Sequence, residues 1–279
     1  MHSEYFAGIA KYDYAGFSMP LDTVSRLGIS IIRFGVDDIP DTRFLYDGNG
    51  AINYDNITFF SAADYAFLFS YARTLPFLEG LRAGANVKII HRSVGDFAKA
   101  WGFGLDAGLQ WEKNGWMLGL TARDITGTFN AWSHNSELVK DVYNQTGNVI
   151  PENTVEVTLP KLLLGAAREF RIREKFGILT ALDLDLTFDG KRNVPIATGV
   201  ISADPHLGVE MDYIQTAFLR FGVGNVQHVK DFDGSKYTTF RFDFGIGVKI
   251  SKFSIDYALT DVGNRAEALY SHVFSIKAA

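Results

Sequence analysis

Large apolar residues alternate with small or polar residues over several long stretches of the chain. From residue 101 to 112, Trp, Phe, Leu and Ala fill the odd positions, while Gly, Asp, Gln and Glu fill the even ones. The same alternation returns over residues 176–188, with Leu179 as its exception, and over residues 239–250. Because side chains of a β-strand point alternately to opposite faces, each stretch predicts a strand with one apolar face.

The length and composition of these strands favour a membrane barrel over a soluble sandwich or a lipocalin-like barrel, which also alternate. About 9–11 residues cross a bilayer at a tilt, whereas ordinary strands are shorter. Trp101 and Trp111 border the apolar face, as aromatic girdles do at membrane interfaces. The opposite face is rich in glycine and carries single charges, which suits a crowded lumen. A dozen such apolar faces would not fit inside one soluble core.

Ten weaker stretches bring the predicted strands to about thirteen. These cover residues 5–17, 26–36, 63–73, 81–92, 116–128, 159–170, 206–213, 217–225, 253–260 and 268–277. The connections alternate between tight turns and long polar loops, as periplasmic turns and outer loops do in such barrels. The tight turns are residues 112–115, 171–174, 212–215 and 250–252. The long loops are residues 36–61, 130–158, 189–205 and 226–236.

An odd number of strands conflicts with the even number found in single-chain bacterial barrels. We therefore expect about fourteen strands, with one strand and a secretory signal preceding Met1. No linker rich in Pro, Gly or Ser divides the chain, so residues 1–279 are predicted to form one all-β domain, a transmembrane antiparallel barrel.

Composition and charge narrow the possible functions. The 279 residues carry a net charge of −5 without a basic cluster, which argues against nucleic acid as a partner. The chain has no cysteine, so disulfides, thiolate metal sites and cysteine nucleophiles are excluded. No apolar run is long enough for a transmembrane helix.

Candidate catalytic and metal sites are weak. The segment 35–41, with Asp47 and Asp55, gathers carboxylates that could bind calcium, but Ala51 breaks the EF-hand spacing and solvated turns explain the pattern better. The six histidines show no metal-ligand spacing, and no GxGxxG motif or P-loop is present. We therefore predict no cofactor, no metal and no enzymatic activity.

Charged residues on the glycine-rich face are the remaining site candidates. They either pair across the lumen and brace the barrel or line a polar path for a solute. They are Arg82, Lys88, Arg92, Asp106, Arg123, Asp183, Asp185, Arg220, Arg241, Asp243 and Asp256.

The run LGISIIRFGVDDIPDT at residues 27–42 resembles the PorV/PorQ family of Bacteroidetes outer-membrane proteins. Residues 12–14, 50–54, 204–210 and 218–225 extend the resemblance over most of the chain. It implies a barrel of about fourteen strands, similar to the fatty-acid transporter FadL, in the bacterial outer membrane. The family pattern also expects an N-terminal Asn-Pro-Ala-Gly-like segment and a first strand, which this sequence lacks. This departure agrees with the strand expected before Met1.

Two functions follow as hypotheses. The resemblance implies a non-enzymatic component of, or accessory to, the type IX secretion system. Its partners would be outer-membrane lipids together with other secretion components or secreted cargo, contacted through outer loops such as residues 130–158. The alternative is a FadL-like channel for a hydrophobic or small polar solute, gated by the lumen charges and loops.

Overall fold

The computed structural model describes residues 1–6, 8–263 and 270–278, with residues 145 and 261–263 described by their backbone alone. Seventeen β-strands make up almost all of its regular structure. They are β1 His2–Tyr5, β2 Ala10–Pro20, β3 Ser25–Asp41, β4 Thr58–Thr74, β5 Leu81–Val94, β6 Ala98–Lys113, β7 Trp116–Arg123, β8 Thr128–His134, β9 Thr154–Thr158, β10 Lys161–Ile172, β11 Phe176–Thr187, β12 Ile196–Ala197, β13 Ser202–Tyr213, β14 Ala217–Lys230, β15 Lys236–Ile250, β16 Phe253–Gly263 and β17 Ser271–Ala278.

The strands close into one antiparallel barrel, because β1 pairs with both β2 and β17. β7 and β8 both pair with β6, so the two together occupy one strand position, or stave, of the barrel. This stave is interrupted between them. β10 and β9 pair with these two strands in turn and form the next stave, while β12 only adds a two-residue ladder to β13. The circle therefore contains fourteen staves, and the predicted fourteen-stranded barrel is confirmed.

Several predicted boundaries are wrong, and three of them change the picture of the barrel. The strand expected at residues 5–17 is divided into β1 and β2 by a turn in which Phe6 and Gly8 have positive φ. The strand expected at residues 116–128 is interrupted after Arg123. Most of the loop expected at residues 226–236 is strand, since β14 and β15 extend to a short hairpin at residues 231–235. Residues 268 and 269, the start of another predicted strand, lie outside the described residues.

The apolar face of the strands points outward, as predicted. On β6, Trp101 is 59% exposed, whereas the neighbouring Ala100 is 1% exposed. The tight connections have the backbone that hairpins require. Asn114 and Gly115 form a two-residue turn with φ values of 52° and 77°, the left-handed conformation that Asn-Gly adopts readily.

An outward patch on β2 and β3 departs from this apolar pattern. Lys11 Nζ lies 3.4 Å from Asp37 Oδ2, and Arg33 Nη1 lies 3.5 Å from Asp13 Oδ2. These side chains lie above the outward Ile31, near the ends of the strands that carry the long loops. The charges of this patch therefore pair with one another, at the border of the outward apolar surface.

The seam between β2 and β17 is closed over only part of its length. β1 bridges the two strands around His2, while β2 from Ala15 onward and the end of β17 pair on one side only among the described residues. A cavity of about 810 Å³ lies beside these edges. Open strand edges are unfavourable in lipid. The expected strand before Met1 stays a prediction.

The long connections gather at one end of the barrel, the predicted extracellular end. They carry one short helix, α1 Lys140–Thr146, and two single-turn 3-10 helices at Tyr54–Asn56 and Ser136–Leu138. No helix within the described ranges is both long and apolar enough to cross a membrane.

Candidate functional site: the barrel lumen

The lumen is hollow. The described chain exposes 18374 Å² of surface, whereas a compact protein of this mass would expose about 12,000 Å². Its buried apolar residues are only small ones, namely Ala10, Ala98, Ala100 and Ala203. The inner wall of the barrel contributes to this excess surface.

Several glycines of the inner wall leave room for polar side chains of neighbouring strands. Gly102 and Gly104 on β6 face the lumen beside β8, and a Cβ at residue 104 would collide with the hydroxyl of Thr128 and lie 3.0 Å from Lys88 Cε. Gly102 and Gly104 therefore lie where a neighbouring polar side chain occupies the space.

The strand register places all eleven predicted residues on this face. Lys88 lies opposite Gly104, Arg220 opposite Gly245, and Asp256 opposite Gly247. The others share the parity of these positions on β5, β6, β7, β11 and β15. Their involvement in binding a solute stays a prediction.

Nine of the eleven form ion pairs, so pairing is the common state of the wall. The structure brings together Lys88 with Asp106, Arg220 with Asp256, and Arg241 with Asp243. The remaining paired residues use partners outside the predicted set: Arg82 with Glu112, Arg92 with Asp64, and Asp185 with Lys161. Within the described chain, Arg123 and Asp183 make no ion pair.

The most buried charges of the wall surround Lys88. Its Nζ lies 2.7 Å from Asp106 Oδ1 and 2.5 Å from Asp124 Oδ1, and Lys88 and Asp106 are each 7% exposed. The Asp124 backbone amide also donates to Asp106 at 2.9 Å, and Thr128 donates to Asp124 at 2.5 Å. This cluster lies where the stave breaks between β7 and β8, so it holds the two strand ends together.

A second cluster stands near the extracellular mouth. Arg92 lies 2.9 Å from both Asp64 Oδ1 and Glu156 Oε2, and its guanidinium stacks 4.9 Å from the Trp132 ring. The Trp132 indole N–H also donates to Glu156 at 3.0 Å. Glu156 was missed because residues 130–158 were predicted to be a loop, whereas β9 brings it onto the lumen face beside Asn130.

A third cluster joins side chains of β13, β14 and β16 and so spans four adjacent staves. Arg220 lies 2.5 Å from Glu210 Oε2 on β13 and 2.6 Å from Asp256 Oδ1 on β16. Glu210 could have been found from the sequence, because it shares parity with the lumen-facing Gly208. These side chains remain partly exposed, so the cluster is accessible from the lumen while it joins neighbouring strands.

Loop contacts gather over the mouth. The Arg43 guanidinium binds Asp41, donates to the Leu138 carbonyl at 2.6 Å, and lies 4.5 Å from the Phe97 ring. The hydrogen bond with Asp41 raises the pKa of Arg43 above its ordinary value. Arg43 therefore ties the loop at residues 42–57 to the loop that follows β8.

The carboxylates considered for calcium are dispersed. Asp37 faces Lys11, Asp41 binds Arg43, and Asp47 accepts hydrogen bonds from the backbone amides of Asn49 and Ala51 in a turn. Throughout the described residues, no three His, Asp or Glu side chains meet in a metal-binding group. These residues act as turn and ion-pair partners.

Comparisons with known proteins support the fold. No protein-family model and no curated protein matches the chain. It is similar to the monoaromatic hydrocarbon channel CymD, with 12% identity over 100% of this chain and 86% of that one at a TM-score of 0.54. It is also similar to the Ralstonia pickettii toluene transporter TbuX, with 12% identity over 99% and 86% of the two chains at a TM-score of 0.52.

A weaker likeness is to the FrpB iron transporter of Neisseria meningitidis, at 11% identity and a TM-score of 0.44. That match covers 90% of this chain, which spans 44% of the transporter. The fold of this chain is the predicted fourteen-stranded antiparallel barrel, and it matches barrels of the bacterial outer membrane.

Proposed function

We propose that this barrel is a passive outer-membrane channel for small polar solutes. The observation that carries the proposal is the hollow lumen, whose wall carries many glycines and paired charges. Side chains at mid-wall, such as Arg220 and Asp256, are about one-third exposed. Water and small solutes that can replace water at these groups would therefore enter at little cost, whereas apolar solutes gain nothing from such a wall.

The paired state of the wall suits a channel. Nine of the eleven predicted wall charges already have a counter-charge, so a passing neutral solute meets little net field that would trap it. The FadL-like fold agrees with transport. The role beside the type IX translocon that the family resemblance implied stays a prediction.

Liposome swelling tests the channel directly. The full-length protein is reconstituted, and swelling is followed in erythritol and in the larger raffinose. We expect rapid swelling in erythritol and slower swelling in raffinose, because the lumen limits passage by size. Vesicles that swell no faster than protein-free vesicles in erythritol would contradict the proposal.

A matched pair of double variants locates the path. Gly119 and Gly208 face the lumen with open space around them, whereas Leu118 and Leu207 point outward and are 45% and 57% exposed. G119W with G208W should slow swelling in both solutes, and L118W with L207W should not. Equal effects would show that the solutes do not pass through the lumen.

A further inference from the structure

A separate cavity of about 380 Å³ lies at the extracellular end of the lumen wall. Its floor is formed by lumen-facing residues of β10, β11, β13 and β14, including Lys161, Asp185 and Asp204. Its roof is the segment 191–194 of the loop that follows β11. The volume falls within the range of small-molecule sites, about 300–1,000 Å³.

The roof is fixed to the barrel by backbone hydrogen bonds. The hydroxyl of Ser202, which is 1% exposed, accepts from the Arg192 amide at 2.9 Å and donates to the Gly190 carbonyl at 2.9 Å. The Asn193 carbonyl accepts from the His228 amide at 3.0 Å. β12 then pairs with β13 and returns the loop to the wall. The cavity is therefore preformed rather than assembled by a solute.

The floor holds one carboxylate in excess. Asp185 and Asp204 stand directly opposite each other on neighbouring strands, an unfavourable arrangement for like charges. Lys161 Nζ lies 2.5 Å from Asp185 Oδ2 and compensates that group. The nearest charged partner of Asp204 is His206 at 3.6 Å, a histidine that carries charge only when protonated.

The roof holds one cation in excess. Arg192 pairs with Asp189, which lies outside the strands, and this hydrogen bond keeps the pKa of Asp189 below its usual range. Lys191 makes no ion pair with any described residue. The cavity is thus neutral as a whole, but a negative floor faces a positive roof.

We propose that this cavity binds a small zwitterionic solute that carries an ammonium and a carboxylate group. The ammonium would lie against Asp204 and the carboxylate against Lys191, while the amides of Asn193, Asn225 and Gln227 offer hydrogen bonds between them. A simple anion would face the two aspartates, a simple cation would face Lys191, and an apolar molecule would leave the charges unsolvated. This solute class is named for the proposed channel, so the biological role of the site rests on that proposed function.

Three probes of similar size test the assignment in the full-length protein in detergent micelles by isothermal titration. Glycylglycine carries both charges, N-acetylglycine only the negative one, and glycinamide only the positive one. We expect glycylglycine to bind about tenfold more tightly than either of the others, because each of the others lacks one charge-assisted hydrogen bond.

The variants should give a crossed pattern. K191Q should weaken glycylglycine and N-acetylglycine about tenfold without weakening glycinamide, and D204N should weaken glycylglycine and glycinamide without weakening N-acetylglycine. K236Q is the control, since Lys236 begins β15 at the same end of the barrel but does not line the cavity. Equal binding of the three probes, absence of saturable binding, or equal effects of K191Q and K236Q would overturn the inference.

The titrations separate this inference from the channel itself. Swelling in erythritol without saturable binding of glycylglycine would leave the channel intact and remove the zwitterion site. Saturable, charge-dependent binding without swelling would support the zwitterion site and contradict the proposed channel function.

Discussion

Replacing Lys88 by alanine removes the cation that lies between Asp106 and Asp124 at the break in the stave. Both ion-pair distances are short, at 2.7 and 2.5 Å, and Lys88 and Asp106 are each 7% exposed. Without Lys88, two carboxylates would stand close together in a poorly hydrated wall. Removal of one partner from a buried ion pair costs about 3–5 kcal/mol. We therefore expect K88A to lower the free energy of unfolding by about that amount.

The assay is urea unfolding of the barrel refolded into liposomes, followed by tryptophan fluorescence. K113A is the matched control, because Lys113 Nζ lies 2.8 Å from Glu79 Oε2 but the two side chains are 42% and 80% exposed. An exposed pair contributes about 0–1 kcal/mol. If K88A and K113A shift the unfolding midpoint equally, the reasoning that burial makes the Lys88 cluster stabilising is refuted.

Three further changes test other features. G104A places a Cβ against Thr128 and should destabilise the barrel by about 1–3 kcal/mol in the same assay, and an unchanged midpoint would contradict the close packing there. L182R puts a charge on the lipid face, where Leu182 is 49% exposed, and should cost about 2–4 kcal/mol; a neutral effect would mean that this face does not meet lipid. R43A removes the link to Leu138 and should speed protease cleavage within residues 42–57 of intact cells, as shown by mass spectrometry, without altering barrel stability.

The strands could be predicted from the alternation of side chains because a β-strand has a period of two residues. A shift by one residue would turn Trp101 into the lumen. The same period places the predicted charged residues on the face opposite the apolar one. The break after Arg123 could not be foreseen, because residues 116–128 continue without a strong turn signal until Thr126 and Gly127. That break depends on Asp124, which turns with a φ of 55° to reach Lys88.

The ion-pair partners of the lumen charges could not be predicted from the sequence for a different reason. Arg92 meets Asp64 and Glu156, residues 28 and 64 positions away along the chain, and only the register of β4, β5, β8 and β9 brings them together. The roof of the proposed zwitterion cavity likewise depends on Ser202, whose role follows from its contacts with Gly190 and Arg192.

Cysteine labelling tests most directly whether the charged face lines water and the apolar face meets lipid. The chain contains no cysteine, so D183C and L182C each provide a single thiol at neighbouring positions of β11. In liposomes, a small charged maleimide should label D183C rapidly through the lumen and leave L182C unlabelled, while both should react once the barrel is denatured. Rapid labelling of L182C with protection of D183C would contradict a hollow, polar lumen.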